Sequence, residues 1–138
     1  MYKQVSGYLK TEINKKSKMN ITIIGASAGI GLETVKRGLN RNHSITTLSR
    51  TEIEIEEKKS LNMILGDATN KADLINSIQN AGALIVTLGT GKNMKATTLF
   101  SDFAKLIVEI HREKKIGIPI IFVTGFGAGE SKNYVSWI

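Results

Sequence analysis

Short runs rich in Ile, Val, Leu and Thr alternate along the chain with longer stretches whose apolar residues recur at helical spacing. That alternation is the mark of strands interleaved with amphipathic helices. The first run, Asn20-Ile21-Thr22-Ile23-Ile24, is β-branched and free of charge, as a parallel strand covered on both faces should be. It stops at Gly25. Ile30, Leu32, Val35 and Leu39 then fall at helical spacing, up to a polar break predicted over residues 38–42. Further strands are predicted over residues 44–49, 61–65, 83–88 and 119–123, the last with its proline at the tolerable first position. A helix over 71–79 is opened by Asn70, a good N-cap, and closed by Asn80-Ala81-Gly82. Another over 100–113 carries Phe100, Phe103, Ala104, Ile107 and Ile110 on its apolar face. Glu52, Glu54, Glu56 and Glu57 are expected on an outward loop or short helix, and residues 92–98 in a loop. The pattern predicts an α/β fold, a doubly wound parallel sheet with right-handed crossovers and strand order 3-2-1-4-5.

Composition narrows the setting. The 138 residues suit one domain of ordinary size, 41% hydrophobic. No apolar run reaches the roughly 18 residues that would suggest a membrane span. The absence of cysteine excludes disulfide and thiolate chemistry, and with no long apolar segment at the start the cytoplasm is the expected location. The formal charge of +7 is unevenly spread: residues 1–18 hold five lysines against Glu12 alone, so +4 sits in that stretch and +3 in the remainder. The lysines beyond it are scattered and form no Arg/aromatic stripe, so a nucleic-acid partner is not expected. Residues 1–18 read as a basic extension, or the product of an upstream start, ahead of a domain over 19–138; a membrane-surface or partner-binding helix is the minority alternative.

The candidate chemistry begins where the first strand ends. Gly25-Ala26-Ser27-Ala28-Gly29-Ile30-Gly31 is a glycine-rich turn between a buried strand and a helix, with spacing G-x-x-x-G-x-G. In such a turn one glycine permits the reversal, another lets backbone approach a pyrophosphate, and the last lets helix pack on strand. The helix would present its first N–H groups and positive dipole end to the anion. At the end of the second strand stand Ser49, Arg50 and Thr51. An acidic residue there would accept from the ribose 2′-OH of NAD, whereas an arginine accommodates the 2′-phosphate of NADP. With Arg50 in that place and two hydroxyls beside it, NADP(H) is expected in preference to NAD(H), although the nearby glutamates oppose a phosphate.

The Gly25–Gly31 turn, the Ser49-Arg50 strand end, Gly66-Asp67-Ala68 and the Leu88-Gly89 strand end together resemble the atypical short-chain dehydrogenase/reductases. Within them, the chain is most similar to the NAD(P)H-binding group that includes biliverdin-IXβ/flavin reductases and NmrA-like proteins, over about residues 19–131. The resemblance implies that Gly25, Ser27, Ala28, Gly29, Ile30 and Gly31 bind the cofactor with Ser49 and Arg50. It also implies that Asp67, with Ala68 beside it, holds the adenine amino group, and that Leu88, Gly89 and Thr90 contact adenine and ribose.

Core members of that superfamily place a serine after the fifth strand and a Tyr-x-x-x-Lys pair beyond it. Here the position four after Tyr134 is Ile138, so the pair is absent. Thr124 is a weak catalytic candidate, and His43 and His111 have no evident partner. No metal-ligand cluster is visible. Hydride transfer needs no such pair when the acceptor is electron-poor, because the cofactor carries the chemistry. The expected function is therefore an NADPH-dependent reductase of a small-molecule acceptor such as a flavin or quinone; the alternative is a non-catalytic NADP-binding sensor of the NmrA-like type. Relatives continue further, so the usual C-terminal strands and substrate segment are expected to be lacking. Self-association through the edge of the fifth strand, or marginal stability if the chain is monomeric, is expected in consequence.

Overall fold

The computed structural model describes residues 17–56, 59–90 and 97–123. Five strands, β1 (Asn20–Ile24), β2 (Ser44–Ser49), β3 (Leu61–Leu65), β4 (Ala83–Val86) and β5 (Ile120–Phe122), form one parallel sheet in the order β3-β2-β1-β4-β5. Among the described residues three helices connect them: α1 (Gly29–Asn40), α2 (Lys71–Ile78) and α3 (Leu99–Lys114). This is the doubly wound arrangement that the alternation predicts.

Successive strand residues point to opposite faces, and the sheet accordingly separates two cores. Ile24, Leu48, Leu84 and Val86 pack with Leu74 and Ile78 of α2 and Phe103, Ile107 and Ile110 of α3. Their neighbours Ile23 and Ile45 face the other way, against Val35 of α1, Ala26 and Ile53. Ile53 lies in the glutamate-rich connection from β2 to β3 and is almost wholly buried, while Glu52, Glu54 and Glu56 are exposed. No helix forms over the described part of that connection. Ile53 and the partly buried Ile55 cover this face in place of one.

The end of α1 and the apolar face of α3 differ from the sequence reading, and β4 stops at Val86, two residues short of the predicted end. The break expected over residues 38–42 begins later, because α1 runs through Gly38 to Asn40 before turning at Arg41 and Asn42. Gly38 is kept small by β2, since a Cβ there would stand 2.6 Å from Ile45 Cδ1. The helix instead stops in a Schellman motif: His43 N–H donates to Gly38 O at 3.0 Å and Asn42 N–H to Leu39 O at 2.8 Å. Asn42 takes the left-handed position, φ 62°, which asparagine tolerates. The apolar face of α3 is also narrower than predicted: Phe103, Ile107 and Ile110 are buried, whereas Phe100 and Ala104 are exposed.

Among the described residues β5 pairs only with β4, and Ile121, Phe122 and Val123 are exposed there. The expectations about a missing C-terminal region and about self-association turn on residues 124–138, which lie outside the described residues, as do residues 1–16, Glu57 and residues 91–96.

Candidate functional site

The strand order reverses between β1 and β4, and it is outside the C-terminal ends of such strands that open α/β sheets form their crevices. A cleft of about 610 Å³ opens there, a volume usual for small-molecule sites. Gly25, Ser27, Ala28 and Gly29 line it after β1, and Arg50 and Thr51 after β2. Asp67 and Ala68 line it after β3, and Thr87, Leu88, Gly89 and Thr90 after β4. Leu48 and Leu99 complete the wall. Residues far apart in sequence are thus brought to one place by the ends of four adjacent strands.

The glycines do different work. Gly25 has φ 85°, and a Cβ on it would lie 2.8 Å from Thr87 O, so both conformation and space require glycine. Gly29 has φ 56° but open space around it, because it faces the cleft. Gly31 is buried behind the loop, where a Cβ would overlap the Gly25 carbonyl oxygen and stand 2.6 Å from Thr87 Oγ1. Its absent side chain lets α1 pack against the end of β1.

Among the described residues the start of α1 opens on this cleft without a neutralising group. Its N-cap is Ala28, which has no side-chain acceptor, and no acidic residue occupies the first turn. The first helical N–H groups and the positive end of the helix dipole are therefore left for an anion.

Across the cleft, Arg50 is exposed and Asp67 faces it closely enough to feel its charge. The hydroxyl and backbone N–H of Thr69 both donate to Asp67 Oδ1 at 2.7 Å. These two bonds, with a smaller contribution from Arg50, hold the carboxyl below its ordinary range despite slight desolvation. The carboxylate is ionised at neutral pH.

Three expected residues sit otherwise. Ile30 is exposed and does not line the cleft, since the helical turn carries it to the outer side. Gly31 acts from behind the loop. Ser49, expected as a hydroxyl donor to phosphate, is nearly buried and gives its single proton to Thr51 O at 2.7 Å, which shapes the turn that presents Arg50 and Thr51. Thr124 lies outside the described residues. His43 lies at the opposite end of the sheet, where Nδ1 accepts from Met19 N–H at 3.2 Å, and His111 is exposed near the end of α3. Among the described residues no cluster of ligating side chains could hold a metal ion.

Sequence reasoning missed Thr87. Its hydroxyl donates to Ile24 O at 2.9 Å and Gly25 O at 3.1 Å, joining the end of β4 to the start of the loop. The one available signal is a hydroxyl interrupting an otherwise apolar strand at its C-terminal end.

A family model described as NAD(P)H-binding matches residues 25–138. The chain belongs to the NAD(P)H-binding family. Solved structures share the fold of this NAD(P)H-binding chain. An epimerase from Methanothermobacter thermautotrophicus aligns with TM-score 0.69 at 11% identity, over 85% of this chain and 38% of its own. The Bordetella bronchiseptica enzyme WbmG, in complex with NAD, gives 0.65 at 14% identity over 83% and 40%. A short-chain dehydrogenase from Leptospira borgpetersenii, with bound NAD+, gives 0.60 at 18% identity over 82% and 54%. The chain thus spans about half or less of the length of these proteins. Among the described residues no helix is long and apolar enough to cross a membrane.

Proposed function

We propose that the cleft binds NADPH and that the chain is a reductase delivering hydride to a small electron-poor acceptor, such as a flavin or quinone. The observation that carries this reading is the meeting in one cleft of an uncapped helix N-terminus and Arg50. The first suits a pyrophosphate and the second a 2′-phosphate. Loop residues Gly25 to Gly29 would hold the pyrophosphate. Asp67, ionised and acceptor-only, would take the adenine amino group, with Leu88, Gly89 and Thr90 against adenine and ribose. The residues present fit the group: Gly29 leaves the cleft open, while a side chain on Gly25 or Gly31 would strike Thr87 or the loop backbone and so displace the turn that faces it.

A bound NADPH supplies the hydride; the protein binds and orients it. The titratable residues among the described cleft wall are Arg50 and Asp67, one permanently cationic and one held ionised.

The same observation favours a second reading, a non-catalytic NADP-binding sensor. One assay separates the two: loss of dihydronicotinamide absorbance with flavin mononucleotide or a quinone as acceptor. Turnover supports the reductase. Tight NADPH binding without turnover across such acceptors overturns it and leaves the sensor.

A further inference from the structure

Resting on the proposal that the loop after β1 holds a pyrophosphate, we infer that Thr87 is the positioning residue that sets this loop, acting through its hydroxyl without touching the ligand. Thr87 lies beyond the last residue of β4, and its backbone N–H donates to Ile24 O at 2.9 Å, extending the pairing with β1. The side chain then adds what a plain strand end would not. Its hydroxyl shares one proton between Ile24 O at 2.9 Å and Gly25 O at 3.1 Å, the last carbonyl of β1 and the first of the loop.

Because the peptide is planar and trans, fixing the direction of the Gly25 carbonyl also fixes the N–H of Ala26 on its opposite side, and with it the path into the turn. Thr87 meets the loop and helix at two further points. A Cβ on Gly25 would stand 2.8 Å from Thr87 O, and one on Gly31 would stand 2.6 Å from Thr87 Oγ1. One residue therefore sets the strand end, the left-handed turn at Gly25 and the distance at which the first turn of α1 rests. The hydroxyl has no second proton to offer a phosphate, although Thr87 lines the cleft. Its influence on an anion is exerted through the backbone it holds.

The test separates the pyrophosphate end from the adenosine end of the cleft. Adenosine 5′-diphosphate reports on the loop, and adenosine 2′-phosphate, which has no pyrophosphate, reports on Arg50 and Asp67. Thr87→Val keeps the shape and removes both side-chain bonds. It should weaken adenosine 5′-diphosphate, NADH and NADPH by a common factor of about tenfold or more and leave adenosine 2′-phosphate unchanged. Thr87→Ser, which keeps the hydroxyl, should restore diphosphate binding. Wild-type affinity for the diphosphate in a folded Thr87→Val protein overturns the inference, as does equal weakening of both probes. Should that variant fail to fold, Thr87→Ala carries the same comparison with the same two outcomes. Failure of the wild type to bind any of these nucleotides would instead overturn the proposed cofactor site.

Discussion

The backbone N–H of Asp67 donates to the carboxylate of Asp73 at 2.9 Å, so the corner after β3 is tied to the first turn of α2. Asn70 caps the same helix by accepting from Ala72 N–H and Asp73 N–H at 2.9 and 3.2 Å. Gly66 completes the corner, because a Cβ there would lie 2.6 Å from Asp73 Oδ2. Asp73→Ala should therefore lower stability by about 1.5–3 kcal/mol, the range for a hydrogen bond to a charged group. It should weaken NADPH and NADH together, since the proposed site places the adenine of both at Asp67. Urea denaturation and nucleotide titration of the variant measure the two effects.

The bonds from Thr69 lower the folded-state pKa of Asp67 beneath its ordinary value of 3.8. A group of this kind contributes stability that is fully present above the unfolded value and is lost as pH falls through the folded one. The stability difference between the wild type and Asp67→Asn should be constant from neutral pH down to about the ordinary aspartate range, then shrink in stronger acid. Denaturant melts across that range check the sign; a difference that grew on acidification would contradict it.

Gly31 and Gly29 should fail for different reasons. Gly31→Ala forces a methyl against the Gly25 carbonyl and Thr87, both fixed by hydrogen bonds, and should cost roughly 1–3 kcal/mol of stability as well as cofactor affinity. A Cβ on Gly29 meets no other part of the described structure within 4 Å, so the obstacles are its left-handed φ of 56° and the ligand's own space. Gly29→Val should abolish dinucleotide binding while the fold survives with a loss of about 1–2 kcal/mol. Melting and titration of both variants distinguish the two.

Thr47 sits in the middle of β2, wholly buried, and its hydroxyl has no hydrogen-bond partner among the described residues. In the sheet it lies between Ile23 and Met63. An unpaired buried hydroxyl bears a desolvation cost without return, so Thr47→Val should raise stability by about 1–2 kcal/mol with nucleotide binding unchanged.

How much of this was legible in the sequence depends on whether the cause is local. The strands and their order follow from β-branched runs such as Ile21 to Ile24, separated by helical spacing, and Asn70 announces its helix by its own side chain. The glycine turn and Arg50 were readable because a strand end fixes where the next residues must go. Thr87 was not readable, because its partners lie 62 and 63 residues away. Nor was Ile53, whose burial among glutamates is set by the face it must cover. Gly38 suggested a break because a glycine weakens a helix in isolation, yet the approach of Ile45 is what requires it. The bond from Ser49 to Thr51 O, which competes with any ligand for its one proton, cannot be read from the residue type alone.

The central claim is that this cleft holds NADPH with its 2′-phosphate on Arg50. Calorimetric titration of the wild type and Arg50→Ala with NADPH and NADH tests it most directly. The wild type should prefer NADPH, and Arg50→Ala should lose roughly 1.5–3 kcal/mol of NADPH affinity, the scale of a hydrogen bond to a charged group, while NADH binding is nearly unchanged. Equal loss for both cofactors, or a wild type that favours NADH, would contradict it.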